Sequence, residues 1–214
     1  MNKNETVLKL SQQGIIAVVR GKTMEDGVKI ADACIAGGVK AIELAFTTPH
    51  APEAITTLVN KYADDADVII GAGTVLDTTS ARLAILAGAQ FIVSPAFDKD
   101  VVEMCNLYRV VPCPGVMDPT GVVAALKAGA DIVKIFPGDI VGTKMIKDIH
   151  GPLPQAPLMP SGGVSVENTA DWLHAGAVAV SAGSSLSGPA KKGDYAGVTE
   201  NAKAFVKAVA AARA

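Results

Sequence analysis

The sequence predicts an α/β protein, a (β/α)8 (TIM) barrel with one extra helix at its N-terminus. Half of the 214 residues are hydrophobic and only 4% are aromatic. That palette, rich in Ala, Val, Ile and Gly, suits parallel strands covered by helices. A helix ending in a small-Gly-small turn and followed by a strand recurs four times, as CIAGGVKAIELAF, ILAGAQFIVSPA, LKAGADIVKIFP and LHAGAVAVSAGS. Each Gly falls where a helix ends in the left-handed conformation. Further short apolar runs fill the gaps, giving eight strands at roughly 25-residue spacing, the signature of alternating βα units.

In chain order, a helix over about residues 3–13 leads into GIIAVVR, the first strand near 15–19. The helix TMEDGVKIADACIAG then carries the chain to the second strand near 40–45. DVIIGAGT supplies the third near 68–72, QFIVS the fourth near 90–94 and RVVPCPG the fifth near 110–113. DIVKIFPG holds the sixth near 131–136, closed by Pro137-Gly138, and APLMPSGG the seventh near 157–160. The helix VSVENTADWLHAG precedes the eighth near 178–182, and a helix over about 194–212 closes the set. A doubly wound open sheet is the alternative, but it normally has fewer strands and a Gly-rich fingerprint. The nearest such stretch, GAGTVL, ends in Leu76 where Gly is required. No linker or low-complexity stretch interrupts the pattern, so residues 1–214 are expected to form a single domain.

The formal charge is −2 with no basic run, which argues against a nucleic-acid partner, since phosphate backbones call for clustered Lys and Arg. Cys34, Cys105 and Cys113 form no C-x-x-C and no paired framework, so they read as reduced thiols filling the core of a cytoplasmic protein. No apolar segment approaches the ~18 residues of a membrane span. The apolar run Ile15–Val19 is too short for a signal peptide and lacks a cleavage site. His50, His150 and His174 are scattered. His150 and His174 fall in the last turns of helices, where they would favour the negative end of the dipole. Without H-x-H or H-E-x-x-H no metal site is expected, nor is a Ser–His hydrolase, for want of a G-x-S-x-G elbow.

Barrel active sites form at the C-terminal ends of the strands. There the sequence places Arg20, Glu43, Thr74, Ser94-Pro95, Lys134 with Phe136, Pro160–Gly163 and Ser181–Ser185. Period-two alternation puts Ile132, Lys134 and Phe136 on one face. It also pairs Glu43 with Ala41 and Ala45, leaving Ile42 and Leu44 for the helix-facing side. Glu43 and Lys134 are therefore expected to point inward. A structural ion pair is one reading. The other is chemical: burial lowers a lysine pKa and raises a carboxyl pKa, moving both toward neutrality. There an amine can attack a ketone, and a carboxyl can move protons. The resulting iminium is an electron sink for breaking the neighbouring carbon–carbon bond. The Gly/Ser loops after strands seven and eight, SGG and GSS, suit a phosphate, which barrels commonly bind there. The alternative is ordinary turns.

The motifs IIAVVR, AIELAFTTP, GAGTV, AGAQFIVSP, VKIFPG, PSGGV and GSSL stand in the order and spacing of one family. The chain resembles the 2-keto-3-deoxy-6-phosphogluconate (KDPG) and 2-keto-4-hydroxyglutarate (KHG) aldolases over residues 14–188. The resemblance implies a class I, metal-free aldolase without a cofactor, acting on a small-molecule 2-keto acid as a homotrimer. It implies Lys134 as Schiff-base lysine and Glu43 as acid/base. Arg20, Thr74 and Pro95 would surround the pyruvate half, with Phe136 near the reacting carbons. Ser161, Gly162, Gly163, Gly183 and Ser184 would hold the phosphate. Thr47 stands where some members carry Arg, and Ser161 where Thr is common. The expected reaction splits KDPG into pyruvate and glyceraldehyde 3-phosphate. Alternatives are 4-hydroxy-2-oxoglutarate or the galactonate epimer as substrate, a sugar-phosphate isomerase or epimerase barrel, and a catalytically silent binding barrel.

Overall fold

The computed structural model describes residues 2–214. The chain opens with the helix Lys3–Gln13. Its N-terminus is fixed by a capping box between Asn2 and Glu5, which satisfies backbone donors that a helix start leaves open. Thr23, Asp77, Asp98, Asp118 and Asp194 cap later helices by a simpler, one-way bond, each side chain accepting from a backbone N–H of the first turn. The four recurring turns contain Gly38, Gly88, Gly129 and Gly176, and all four are left-handed, with φ between 92° and 111°.

The strands are β1 (Ile15–Val19), β2 (Ala41–Ala45), β3 (Ile69–Gly73), β4 (Phe91–Val93), β5 (Val111–Cys113), β6 (Gly115–Val116), β7 (Val133–Ile135), β8 (Leu158–Pro160) and β9 (Val180–Ala182). The fifth predicted strand, near 110–113, is β5, and a further short strand, β6, follows it beyond Pro114. Proline has no N–H to give a ladder, although its carbonyl still accepts from the Lys134 backbone at 2.9 Å. All strand pairings are parallel and fall into two curled sheets, β5-β4-β3-β2-β1-β9 and β6-β7-β8. An isolated bridge between Ser161 and Ser181 spans the two, as does a bond from the Val178 N–H to the Leu158 carbonyl at 2.9 Å.

Alternation divides the apolar side chains into two cores. Ile15, Ala17, Val19, Ile42, Leu44, Val133, Ile135, Val180 and Ala182 pack outward against the helices. Ile16, Ala41, Ile69, Phe91, Val93, Ile132, Met159 and Ala179 fill the inside of the curl. Leu10 of the leading helix joins that inner group at the N-terminal ends of the strands. Beside it, buried Lys3 meets Asp131 at 2.7 Å. The last helix, Tyr195–Arg213, packs on the helices Met24–Ala36 and Thr169–His174. Its Arg213 donates to the carbonyls of Ser11, Gln12 and Val178.

The three cysteines are free and buried, and desolvation raises their thiols, Cys34 and Cys105 to about 12 and Cys113 well above its ordinary range. His150 and His174 do end their helices. Their rings, however, hydrogen-bond carbonyls further along the chain, Ala156 at 2.9 Å and Ala212 at 3.1 Å, rather than carbonyls of their own helices. Among the described residues no helix is long and apolar enough to cross a membrane.

The inner face of β3 explains GAGT. Its inner positions are Ile69, Gly71 and Gly73; a Cβ on Gly71 would overlap the buried Phe91 ring. Because Phe91 is enclosed, the clash cannot relax cheaply. Gly71→Ala is expected to cost about 1–3 kcal/mol. Calorimetry should read a fall in Tm of about 2–4 °C for each kcal/mol lost.

Candidate active site

The site grows from the inner faces of β2 and β7. On β2, Ala41, Glu43 and Ala45 point inward, and Gly73 on the neighbouring β3 leaves the space that the carboxyl fills. A Cβ at Gly73 would collide with Glu43 Oε1. On β7, Val133 and Ile135 face the helices, so Lys134 faces inward as Ile132 does. Lys134 is 5% exposed and Glu43 fully buried. Their charged ends approach to 3.9 Å, from Lys134 Nζ to Glu43 Oε1. Lys134 Nζ also lies 5.1 Å from the centre of the Phe136 ring, a cation–π approach.

Above this pair lies a cavity of about 310 Å³. Lys134 forms part of its lining, with Arg20 after β1, Thr74 after β3, Pro95 beyond β4, Phe136 after β7, and Ser161, Gly162, Gly163, Gly183 and Ser184 after β8 and β9. Glu43 lies beneath, out of contact with solvent. Thr74 has φ +58°, an uncommon conformation for a branched residue, and it falls at the cavity wall. Gly162 and Gly163 have φ +92° and +68°, and a Cβ on either would press into Gly138 or Asp139. That crowding is why the loop after β8 is SGG. It leaves backbone groups at the cavity rim, where an anion can approach them closely.

Three lining residues were not singled out from sequence: Val18, Val164 and Ser165. Alternation could have found Val18, since it shares a face with Arg20. Thr47 is exposed and does not line the cavity. The buried neighbour Thr48 instead accepts a bond from the Gly21 N–H at 3.1 Å and holds the turn after β1. Three other cavities are larger: one of about 360 Å³ by Lys29 and Tyr195, and two of about 540 Å³ each. One of the last two shares Val18, Arg20, Gly183 and Ser184 with the site cavity and opens beside it. The other lies by Glu5, Lys9 and Tyr62 at the opposite ends of the strands and has no inward Lys–Glu pair. Chemistry, not size, places the site in the smallest of the four. Among the described residues, no group of three or more His, Cys, Asp or Glu side chains is placed to hold a metal.

Burial raises the Glu43 carboxyl above its ordinary range, opposed by the charges of Lys134 and Arg20 and by the Ser181 hydroxyl. A proton therefore resides on Glu43 at a higher pH than on an exposed glutamate, as suits a group that both takes and returns one. An amine beside such a carboxyl, with polar loops overhead and an apolar floor, is equipped for attack on a carbonyl followed by proton transfer.

Residues 6–201 match the family described as "Aldolase: KDPG and KHG aldolase". The chain is 37% identical to the 2-dehydro-3-deoxy-phosphogluconate aldolase of Treponema pallidum, over 89% of this chain and 90% of that one. It is 34% identical to the 2-dehydro-3-deoxy-6-phosphogalactonate aldolase of Escherichia coli K12, over 91% and 93%. Among solved structures it is similar to KDPG aldolase from Legionella pneumophila with pyruvate captured at low pH as a covalent carbinolamine intermediate. The TM-score is 0.84 at 28% identity, covering 93% of this chain and 97% of that one.

A raised carboxyl has a stability signature. Between the ordinary value of 4.5 and the raised folded value, the folded protein holds a proton that the unfolded chain releases. Stability tied to Glu43 is full below 4.5 and lost as pH rises through the folded value. Glu43→Gln should therefore gain Tm relative to the wild type on going from pH 4.5 to 7, by about 2–4 °C for each kcal/mol recovered. Melting curves across that range check the sign.

Proposed function

The chain belongs to the KDPG and KHG aldolase family and is a carbon–carbon lyase; we propose that it is a class I aldolase that cleaves KDPG through a Schiff base on Lys134. One observation carries the residue assignment. A buried amine on the floor of a cavity rimmed by Gly/Ser loops faces, at 3.9 Å, a buried carboxyl just beneath it.

In this reading the Lys134 amine attacks the C2 keto carbon, and Glu43 assists loss of water from the carbinolamine to give an iminium. Glu43 then takes the proton of the C4 hydroxyl. The C3–C4 bond breaks, its electrons moving into the iminium to leave an enamine, and glyceraldehyde 3-phosphate departs. Protonation at C3 and hydrolysis release pyruvate and free Lys134. Arg20 pairs with the substrate carboxylate, which its planar fork matches. Thr74 and Pro95 flank the pyruvate half, and Phe136 covers the reacting carbons. Ser161, Gly162, Gly163, Gly183 and Ser184 hold the phosphate with backbone N–H groups and hydroxyls. The galactonate epimer is the second reading, because a relative of that name is 34% identical. KHG is a third, from the family's own description.

The finer architecture belongs to the same proposal. The two sheets act as one closed (β/α)8 barrel with the Lys3–Gln13 helix against its base, and residues 1–214 form one aldolase domain. The Ser161–Ser181 bridge and the Pro114 contact to β7 support closure. The protein is a cytoplasmic homotrimer serving the Entner–Doudoroff breakdown of sugar acids. Unpaired buried thiols are consistent with that compartment. Leu83, Leu86, Leu107 and Tyr108, on or beside the adjacent helices Thr78–Leu86 and Lys99–Leu107, are large, apolar and exposed. They suit a subunit contact.

Borohydride with pyruvate should leave a reduced adduct on Lys134, located by mass spectrometry; an unmodified Lys134 in folded protein overturns the mechanism. Lys134→Ala should lower kcat by at least ~10³-fold, since the lost group acts in bond breaking. Against a panel of KDPG, its galactonate epimer and KHG, kcat/KM should rank KDPG first. No pyruvate from any of them would restore the silent-barrel reading.

A further inference from the structure

We propose that Ser181 is a positioning residue for Glu43, its hydroxyl donating to the carboxylate while accepting from Ser161, so that the base of the aldol step is tied to the anion-holding loop. The proposal rests on Glu43 being that base.

Glu43 is fully buried, yet neither carboxylate oxygen has a hydrogen-bond partner among the described residues. Lys134 at 3.9 Å attracts it but is too far away to donate a hydrogen bond. A buried carboxylate without a donor is costly, so the groups around it matter. Ser181 is 1% exposed and sits on β9. Its neighbours Val180 and Ala182 pack outward and Ala179 inward, so the Ser181 side chain points into the curl. Register puts it at the right height. Ser181 pairs with Ile16, Ile16 with Ala41, and Glu43 is the next inward residue of β2 after Ala41. Side chains from alternate strands of such a fold share a layer, which places Ser181 level with Glu43 and Lys134.

The hydroxyl also has a neighbour. Ser161, 5% exposed, has its Oγ 3.4 Å from Ser181 Oγ. With Ser161 as the donor, the Ser181 proton is free for the carboxylate. The charges facing Glu43 are Lys134 from β7 and Arg20 from the end of β1, with the Cys113 thiol on β5 and no side chain from Gly73. All but Cys113 are committed to substrate or to leaving room. Ser181 is the group left to steady the carboxylate: it is near enough to lower the Glu43 carboxyl against the larger effect of burial, although it makes no hydrogen bond to either oxygen in the resting geometry.

The test is the pH dependence of kcat for pyruvate release from KDPG, with wild type, Glu43→Gln, Ser181→Ala, Ser181→Thr and Ser181→Val. Glu43→Gln should abolish the acid limb; if the limb survives there, the base is another group and both this inference and the assignment of Glu43 fall. Given its loss, Ser181→Ala should move the limb of the wild type upward by about one pH unit or less. It should also lower kcat at pH 7 by about 3–10-fold while KM stays within about twofold. Ser181→Thr keeps the hydroxyl and should leave the limb in place, whereas the similarly shaped Ser181→Val should move it. That pair decides the matter even if Ser181→Ala does not fold. A limb unmoved in Ser181→Val overturns the Ser181 inference alone and leaves the Glu43 assignment intact.

Discussion

The approach of Lys134 to Glu43 inside the curl of strands is the constraint to which the rest of the structure answers. Two opposite charges taken out of water lose more hydration than their attraction readily returns. The surroundings reduce that cost in visible ways. Gly73 gives up its side chain so that the carboxyl has room. Arg20 adds a second positive charge toward Glu43, and Phe136 offers the ammonium its ring face. Below the pair the interior is packed with Ile16, Ala41, Ile69 and Ile132. A chain under selection for stability alone would fill this layer with Leu or Val. Retaining charge there implies a use for it.

The two ends of the strands divide the labour. At their C-terminal ends stand short loops with left-handed or crowded backbone at Thr74, Gly162 and Gly163, arranged around open space. At their N-terminal ends stand Leu10, the Lys3–Asp131 pair and the Arg213 contacts, which close the interior against the leading and last helices. Asp131 and Lys134 belong to one short stretch of chain and serve opposite ends. A carboxylate anchors the base and an amine enters the cavity, three residues apart.

Much of this was legible in the sequence because it depends on local rules. The left-handed glycines mark helix ends through backbone sterics, and alternation alone assigns Glu43 and Lys134 to the inner face. The break between β5 and β6 was also written in RVVPCPG, where Pro114 cannot donate, but a propensity reading stops at Cys113 and leaves β6 unread. What resisted reading was whatever depends on packing between distant segments. GAGT looked like a strand end, and its glycines prove to be vacancies for Phe91 and Glu43 on other strands. Ser181 looked like part of a loop motif, and its placement beside Ser161 follows from register across the sheet. Thr47, singled out through the family resemblance, is exposed and does not line the cavity, and its neighbour Thr48 carries the local contact.

The buried cysteines have a practical side. With thiols raised to about 12, the ionised fraction at pH 7 is about one part in 10⁵. Alkylating reagents and peroxide should thus find the cysteines of the native protein almost inert. An aldehyde small enough to enter the cavity would meet the amine at its floor without competition from thiolate, so covalent probes of that amine can be used on the unmodified chain.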